Sequence, residues 1–114
     1  MPGTLKRTFG PVALSATLTT NVYAGAGGSA LIYDVITHIR IVNKTAGAVT
    51  ASLWLGATGA NAAGTEVLNG YSVAANGVYD WYGRLKMTST DFLVGGASAG
   101  TSLTITGEGD QYVV

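Results

Sequence analysis

Glycine interrupts this chain at short intervals, and only short segments of regular pattern lie between the interruptions. The 114 residues include 17 glycines. No stretch places apolar residues at the i, i+3, i+4 and i+7 positions of an amphipathic helix over three turns. Apolar and polar residues alternate instead, and side chains alternate between the two faces of a β-strand. The pattern therefore predicts an all-β protein.

Many short strands joined by glycine-rich turns are typical of a sandwich or a barrel. We expect a single antiparallel β-sandwich, jelly-roll-like, with about eight strands, in one domain as the length indicates. The expected organisation is an extended N-terminal arm at residues 1–11, the sandwich at 12–109 and a C-terminal tail at 110–114. The strands are expected within the segments 12–18, 20–24, 30–43, 48–56, 66–73, 77–82, 84–88, 91–97 and 101–107.

Residues 34–56 have the pattern of a β-hairpin. Ile39 and Ile41 alternate with polar residues before a five-residue loop, and an alternating apolar segment follows the loop. Pairing Ile39 with Leu53 makes the apolar faces of both strands coincide, whereas a slip of one residue mixes them. This register predicts that His38 lies opposite Trp54 and that Arg40 lies diagonal to it, within reach of a cation–π contact.

A second hairpin is expected over residues 91–107, with Ala99-Gly100 as its turn. The segment Gly96–Gly100 has the spelling of the G-x-S-x-G nucleophile elbow of serine hydrolases. An elbow needs a helix after the serine and a histidine later in the chain. Here a strand is expected after Ser98, and the one histidine, His38, precedes it. We interpret the motif as a turn.

The charge of the chain is low and balanced. The chain has six Lys and Arg residues and six Asp and Glu residues. Charged residues make up 11 % of it, compared with roughly 25 % in an ordinary soluble domain. This balance argues against a nucleic-acid partner. No apolar run approaches the roughly 18 residues of a membrane-spanning helix, and no signal peptide is evident. We expect no membrane partner, and we expect the surface to be in contact with other proteins.

Cofactors, metal ions and catalytic groups are not expected. The chain has no cysteine, and its lone histidine has no second histidine to share a metal ion with. Glu108 and Asp110 are too few for a calcium site and are interpreted as exposed, solvated charges. The carboxylates are scattered over different segments. The sequence therefore predicts a protein that is not an enzyme.

The segment 76–87 is rich in aromatic residues. Asn76-Gly77 is a strong turn signal. In the strand that follows, Tyr82 shares one face with Val78 and Asp80, and Tyr79 and Trp81 share the other. Either both faces are buried within the sandwich, or one of them is a contact patch, since Tyr, Trp and Arg dominate binding energy at interfaces.

The two ends of the chain carry opposite charge. Lys6 and Arg7 have no acidic neighbour in the expected arm, and Glu108 and Asp110 have no basic neighbour in the last residues. One subunit's arm could therefore meet another subunit's tail. The candidate partner-contact residues are Lys6, Arg7, His38, Arg40, Trp54, Tyr79, Trp81, Tyr82 and Arg84.

Four patterned segments lie within roughly residues 30–109. They are the strand with Ile36, Ile39, Ile41 and Asn43, the alternating strand Val49 to Leu55, the turn Ala74 to Gly77, and the strand Leu103 to Gly109. In these segments the chain resembles a group of small bacteriophage virion proteins. Members are β-sandwich or jelly-roll modules that decorate capsids or sit on necks, tails and fibres. The heavy aromatic cluster of Tyr79, Trp81 and Tyr82 and the Lys6-Arg7 pair depart from this pattern.

The resemblance implies a non-enzymatic virion structural protein, made in the host cytoplasm and placed on the particle surface. We expect a capsid decoration or cement protein that binds symmetric sites on the head through apolar and aromatic surface. It would be a homo-oligomer, with a trimer favoured, and its partners would be the major capsid protein or tail and neck proteins. The alternatives are a tail, neck or fibre component, or a receptor- or carbohydrate-binding module. In that module Trp54 and Trp81 would stack on sugar rings while Arg40, Asn76 and Asp80 bind hydroxyls.

Overall fold

The computed structural model describes residues 4–24, 31–56, 64–88 and 90–113. Eight β-strands account for most of these residues, and the described segments contain no helix that could cross a bilayer. The strands are β1 (Thr4–Ala13), β2 (Asn21–Ala24), β3 (Leu31–Asn43), β4 (Val49–Gly56), β5 (Glu66–Val73), β6 (Val78–Thr88), β7 (Phe92–Ala97) and β8 (Leu103–Val113).

The strands form two antiparallel sheets of four strands each. Sheet A has the order β1-β8-β3-β6, and sheet B has the order β2-β7-β4-β5. Every pair of consecutive strands except β4 and β5 is divided between the two sheets. Eight strands wound in this way make a double-sheet jelly roll. The predicted fold class is confirmed.

Aliphatic side chains from both sheets fill the space between them. Sheet A contributes Ile36, Ile39 and Ile41 of β3 together with Leu103 and Ile105 of β8. Phe9 of β1 and Met87 of β6 complete the contribution of sheet A, and sheet B contributes side chains of β4, β5 and β7. These include Val49, Ala51 and Leu53 of β4, Leu68 and Val73 of β5, and Leu93 and Ala97 of β7. The alternation in the sequence exists because each of these strands buries one face against the opposite sheet.

Both predicted hairpins are wrong. β3 pairs with β6 and β8 in sheet A, whereas β4 lies in sheet B between β5 and β7. β7 and β8 are likewise divided between the sheets. The apolar faces do point at the same core, as the alternation indicated, but across the sandwich instead of within one sheet. Alternation reports which face is buried and carries no information about the strand that forms the hydrogen bonds.

The N-terminal segment is part of the sandwich, not an extended arm. β1 covers residues 4–13 and pairs with β8, with Thr4 opposite Gln111 and Arg7 opposite Glu108. The side chain of Phe9 is buried in the core. The tail predicted from residue 110 is likewise the end of β8. The basic and acidic ends therefore meet within one chain. Residues 1–3 and 114 lie outside the described residues.

Two further boundaries differ from the expected segments. The strand expected at 12–18 begins and ends earlier, as β1, because Ser15 and Thr17 form a turn in which the Ser15 hydroxyl accepts the Thr17 amide at 2.9 Å. The segments 77–82 and 84–88 form the single strand β6. Gly83 lies where the register with β3 shifts, so the expected break is an irregularity within one strand.

A β-bulge in β3 sets the direction of the side chains used below. The register with β8 shifts between Ile36 and His38, so Thr37 is the extra residue. Ile36 and Ile39 both lie in the core although they are three positions apart. A bulge re-aims the side chains that follow it. His38 and Arg40 consequently point to the outer face of sheet A, whereas strict alternation grouped them with Ile36.

Candidate functional site

A row of polar side chains crosses the outer face of sheet A. Arg7 of β1 is the register partner of Glu108 of β8, and Glu108 is the partner of His38 of β3. His38 in turn lies opposite Tyr82 of β6. Each of the four strands therefore contributes one side chain to a single transverse line. We call this line, together with Arg40 and Asp80 one step further along their strands, the polar row.

His38 bridges two carboxylates. Its Nε2 lies 2.8 Å from Oδ1 of Asp80, and its Nδ1 lies 2.8 Å from Oε1 of Glu108. A neutral imidazole has one N–H donor and one acceptor nitrogen, while an ionised carboxylate only accepts. Both hydrogen bonds are satisfied at once when the ring carries two protons. The geometry therefore favours the imidazolium form of His38.

The pKa of His38 agrees with this form. Partial burial of the ring lowers its pKa, but the hydrogen bonds to Asp80 and Glu108 and the charges of these groups raise it more, so the pKa lies above the ordinary 6.5. Below that pKa, the site holds a cation between two anions on the surface of the sheet.

Asp80 accepts two cationic donors on one oxygen. The Nε of Arg40 lies 2.8 Å from the same Oδ1 that His38 contacts. The hydrogen bond from Arg40, followed by that from His38, lowers the pKa of the Asp80 carboxyl below its ordinary value. Arg40 and Asp80 are direct cross-strand partners on β3 and β6. Such opposite-charge pairs contribute to sheet stability in the manner of other cross-strand contacts.

Tyr82 ends the polar row on the edge strand β6. Its ring stacks on the imidazole of His38, with the centroids 4.7 Å apart and the planes inclined by 15°. The residue is nevertheless 71 % exposed, which makes it the most exposed of the large apolar and aromatic side chains in the described ranges. One side of the ring therefore covers a cation, and the rest is open to solvent.

A shallow groove of about 350 Å³ lies along the row. Its lining residues are Arg7, His38, Arg40, Thr106, Gly107 and Glu108. Only the backbone of Gly107 lines the groove, because the ring of Phe9 in the core occupies the space where a Cβ of residue 107 would lie. Three cationic side chains and one carboxylate thus border one concave surface.

The structure brings together four of the nine predicted contact residues: Arg7, His38, Arg40 and Tyr82. Trp54 is buried in sheet B, so its predicted pairing with His38 and its cation–π contact with Arg40 are wrong. A role for Trp54 as an exposed sugar-stacking residue is excluded by the same burial.

The other predicted residues lie apart from the groove. Tyr79 and Trp81 are partly buried and pack against the core, which supports the interpretation of this face of the segment as part of the sandwich. Lys6 directly precedes Arg7 on β1, and its Nζ donates to Oε1 of Gln111 on β8 at 3.2 Å. Arg84 is exposed on β6.

The predicted contact residues did not include two essential carboxylates, Glu108 and Asp80. Glu108 was interpreted as a solvated charge, but it accepts a hydrogen bond from His38. Asp80 was considered only as a sugar ligand, whereas it links His38 to Arg40. No local signal marks these contacts, because Asp80 and Glu108 are 42 and 70 positions away from His38 in the chain. Only the strand order brings them together.

The G-x-S-x-G segment has a structural role. Ser98 follows the end of β7, its amide donates to the Thr50 carbonyl at 2.9 Å, and its hydroxyl accepts the Thr50 amide at 3.0 Å. The serine therefore extends the contact between β7 and β4. A strand, β8, follows the turn as expected.

The fold and the polar row define an all-β jelly-roll domain with a charged groove across one sheet. In the ranges that the structure describes, no three His, Cys, Asp or Glu side chains are grouped as metal ligands. No family model, no curated protein and no solved structure matches this chain.

Proposed function

We propose that this chain is a non-enzymatic structural protein of a bacteriophage virion that decorates the capsid at symmetric sites as a homo-oligomer. The double-sheet jelly roll supports the proposal, because viral capsid domains use this architecture, as do lectin domains and cupins. A fold by itself does not define a function. The residues exposed on the surface must therefore also fit the proposed function.

The observation that carries the proposal is an exposed apolar surface where the two sheets end on the same side. β6 is an edge strand of sheet A, and β5 is an edge strand of sheet B. Tyr71 of β5 stacks on Tyr79 of β6 with the centroids 4.0 Å apart. Tyr71 is exposed beside this pair, and Val78, which precedes Tyr79, is exposed on the other face of the same edge strand. We call Tyr71, Val78 and Tyr79 the β5–β6 surface.

This surface suits a permanent protein contact better than exposure to water. Unpaired strand edges invite pairing with another chain unless charges or irregularities protect them. Burying a large apolar side chain contributes about 1.5–3 kcal/mol. The low charge of the chain adds support, because few ions would have to be desolvated when a partner covers it.

The experiment mixes purified protein with undecorated capsids and, separately, with isolated tails, and electron microscopy locates the bound protein. We expect density at symmetric positions on the capsid. The double variant Tyr71→Ser/Val78→Ser should lower capsid occupancy at least about tenfold, since two apolar contacts are lost. The matched control Leu5→Ser/Val12→Ser changes two exposed apolar residues of β1, at the opposite edge of sheet A, and should bind normally.

Three results would overturn the proposal. Density on tails alone would assign the chain to the tail, neck or fibre, which is the alternative placement. Absence of binding to both particles, or equal binding by both double variants, would remove the β5–β6 surface as the site of attachment. Thermal melting of each variant shows that any lost binding does not result from unfolding.

A further inference from the structure

We propose that the groove of the polar row binds an acidic sugar, with its carboxylate held by Arg7 and Arg40 and its ring placed against Tyr82. This inference is independent of the capsid proposal. It concerns the groove on the outer face of sheet A, and none of the residues of the β5–β6 surface lines that groove.

The first argument is unused hydrogen-bonding capacity. Arg7 lines the groove, and no described residue accepts a hydrogen bond from its guanidinium or pairs with its charge. Arg40 uses only its Nε, to Asp80, so its two terminal nitrogens remain free to donate. A guanidinium presents its donors as a planar fork that matches a carboxylate. Two such groups therefore border one groove with donors to spare.

The second argument is net charge. The groove and its immediate support contain Arg7, Arg40 and the His38 cation against the carboxylates of Glu108 and Asp80. One positive charge is left over. A concave surface of that sign concentrates anions.

The third argument distinguishes a sugar from a simple anion. Glu108 hydrogen-bonds His38 through Oε1, and its second oxygen has no partner among the described residues. The hydroxyl of Thr106, also in the lining, makes no hydrogen bond within the described ranges. A carboxylate acceptor repels a bare anion but accepts from a hydroxyl. Acceptors and donors side by side fit a ligand that carries both hydroxyls and an acid.

The fourth argument is the exposed aromatic ring at the end of the row. Tyr82 is fixed by its stacking on His38, so its orientation costs little on binding. An aromatic face beside fixed polar groups offers an apolar surface to a sugar ring and directional contacts to its hydroxyls. The predicted tryptophan platform is thereby replaced by a tyrosine.

The dimensions of the groove favour a small ligand over a peptide. Its volume of about 350 Å³ is at the low end of the range of small-molecule sites. An extended peptide would add to the edge of a sheet, where it finds backbone partners. The groove instead crosses the face of sheet A, where the strands are already paired.

The test is calorimetric titration of the full chain with sodium glucuronate at constant ionic strength and pH 6. Glucose and sodium acetate are the matched ligands, since one has the ring without the acid and the other the acid without the ring. We expect saturable glucuronate binding with Kd on the order of 1 mM, and at least tenfold weaker binding of glucose and acetate.

Three variants assign the binding to the groove. Arg7→Gln and Tyr82→Ala should each weaken glucuronate binding about tenfold. Arg84→Gln removes an equal charge from β6 away from the groove and should leave Kd unchanged. The proposal is overturned if glucuronate does not bind, if acetate binds as tightly as glucuronate, or if Arg84→Gln weakens binding as much as Arg7→Gln. Binding of a glutamate-rich peptide in preference to glucuronate would assign the groove to a protein partner and would also overturn it.

Discussion

His38 and Glu108 are direct register partners on β3 and β8, and the Nδ1 of the histidine lies 2.8 Å from Oε1 of the glutamate. Seventy residues separate them in the chain. With Asp80 on the opposite side of the ring, the histidine links the three strands β8, β3 and β6 through charged side chains. The unusual charge state of one histidine thus depends on the order of strands in sheet A.

Stability should depend on the protonation of His38. The pKa of His38 is raised in the folded state above 6.5. The imidazolium therefore contributes its full stabilisation below pH 6.5, and the contribution is lost as pH rises through the folded pKa. Urea unfolding from about pH 5.5 to 8.5 should show the free energy of unfolding falling across this window. The variant His38→Gln should lack the fall, and an equal fall in the variant would contradict the assignment.

Phe9 should be essential to stability although it lies in the segment expected to be an arm. Its ring is buried in the core and covers Gly107. Phe9→Ala should lower the free energy of unfolding by about 3 kcal/mol, because a large buried ring is lost and a cavity remains. Leu5→Ala, in the same strand but 70 % exposed, should change it by less than about 0.5 kcal/mol. If Phe9→Ala and Leu5→Ala both had such small effects in chemical denaturation, Phe9 would not anchor β1 to the core.

The two aromatic residues Trp54 and Tyr82 should behave in opposite ways. Trp54 is 7 % exposed and lies between β5 and β7 on sheet B. Trp54→Ala should therefore destabilise the fold by about 3 kcal/mol. Tyr82→Ala should leave the melting temperature nearly unchanged while it weakens glucuronate binding. A stable Trp54→Ala variant would show that the indole is not part of the packed interior.

A buried carboxylate links the two sheets at one end of the molecule. Asp34 of β3 is 1 % exposed and accepts the Tyr23 hydroxyl at 2.6 Å and the Gln111 side-chain amide at 3.1 Å. Burial, followed by this hydrogen bond, raises the pKa of Tyr23, so the phenol remains a donor.

Removing this donor should be costly. Tyr23→Phe leaves the buried Asp34 carboxylate with Gln111 as its one side-chain partner among the described residues, and should lower the free energy of unfolding by about 2 kcal/mol. The matched variant Tyr33→Phe removes a hydroxyl that bonds no described residue and retains the ring, which contacts the tilted ring of Tyr112. Its stability should stay within about 0.5 kcal/mol of the parent. Thermal and urea unfolding measure the stability of both variants. An equal loss of stability in Tyr23→Phe and Tyr33→Phe would contradict the role given to the Tyr23 hydroxyl.

Local patterns in the sequence correctly indicated which parts of the chain form strands. Alternation around Ile39, Ile41 and Leu53 marks buried faces, and Asn76-Gly77 marks a turn, in which Asn76 adopts a φ of 53°. These features depend on neighbours a few residues away, so they can be read from the sequence. The first strand was expected too late in the chain for the same reason: the polar residues near Lys6 have the local pattern of an exposed segment, although they belong to β1.

The partners of those strands were decided by tertiary structure alone. Alternation at Ile39 and Leu53 is satisfied equally by a hairpin and by two sheets facing one another, since both bury the same side chains. The jelly roll takes the second arrangement. That arrangement places Glu108 and Asp80 on either side of His38 and buries Trp54 on sheet B, away from both. A hydrophobic pattern specifies burial, which is non-directional. The polar row requires directional contacts among residues that only the strand order brings within hydrogen-bonding distance.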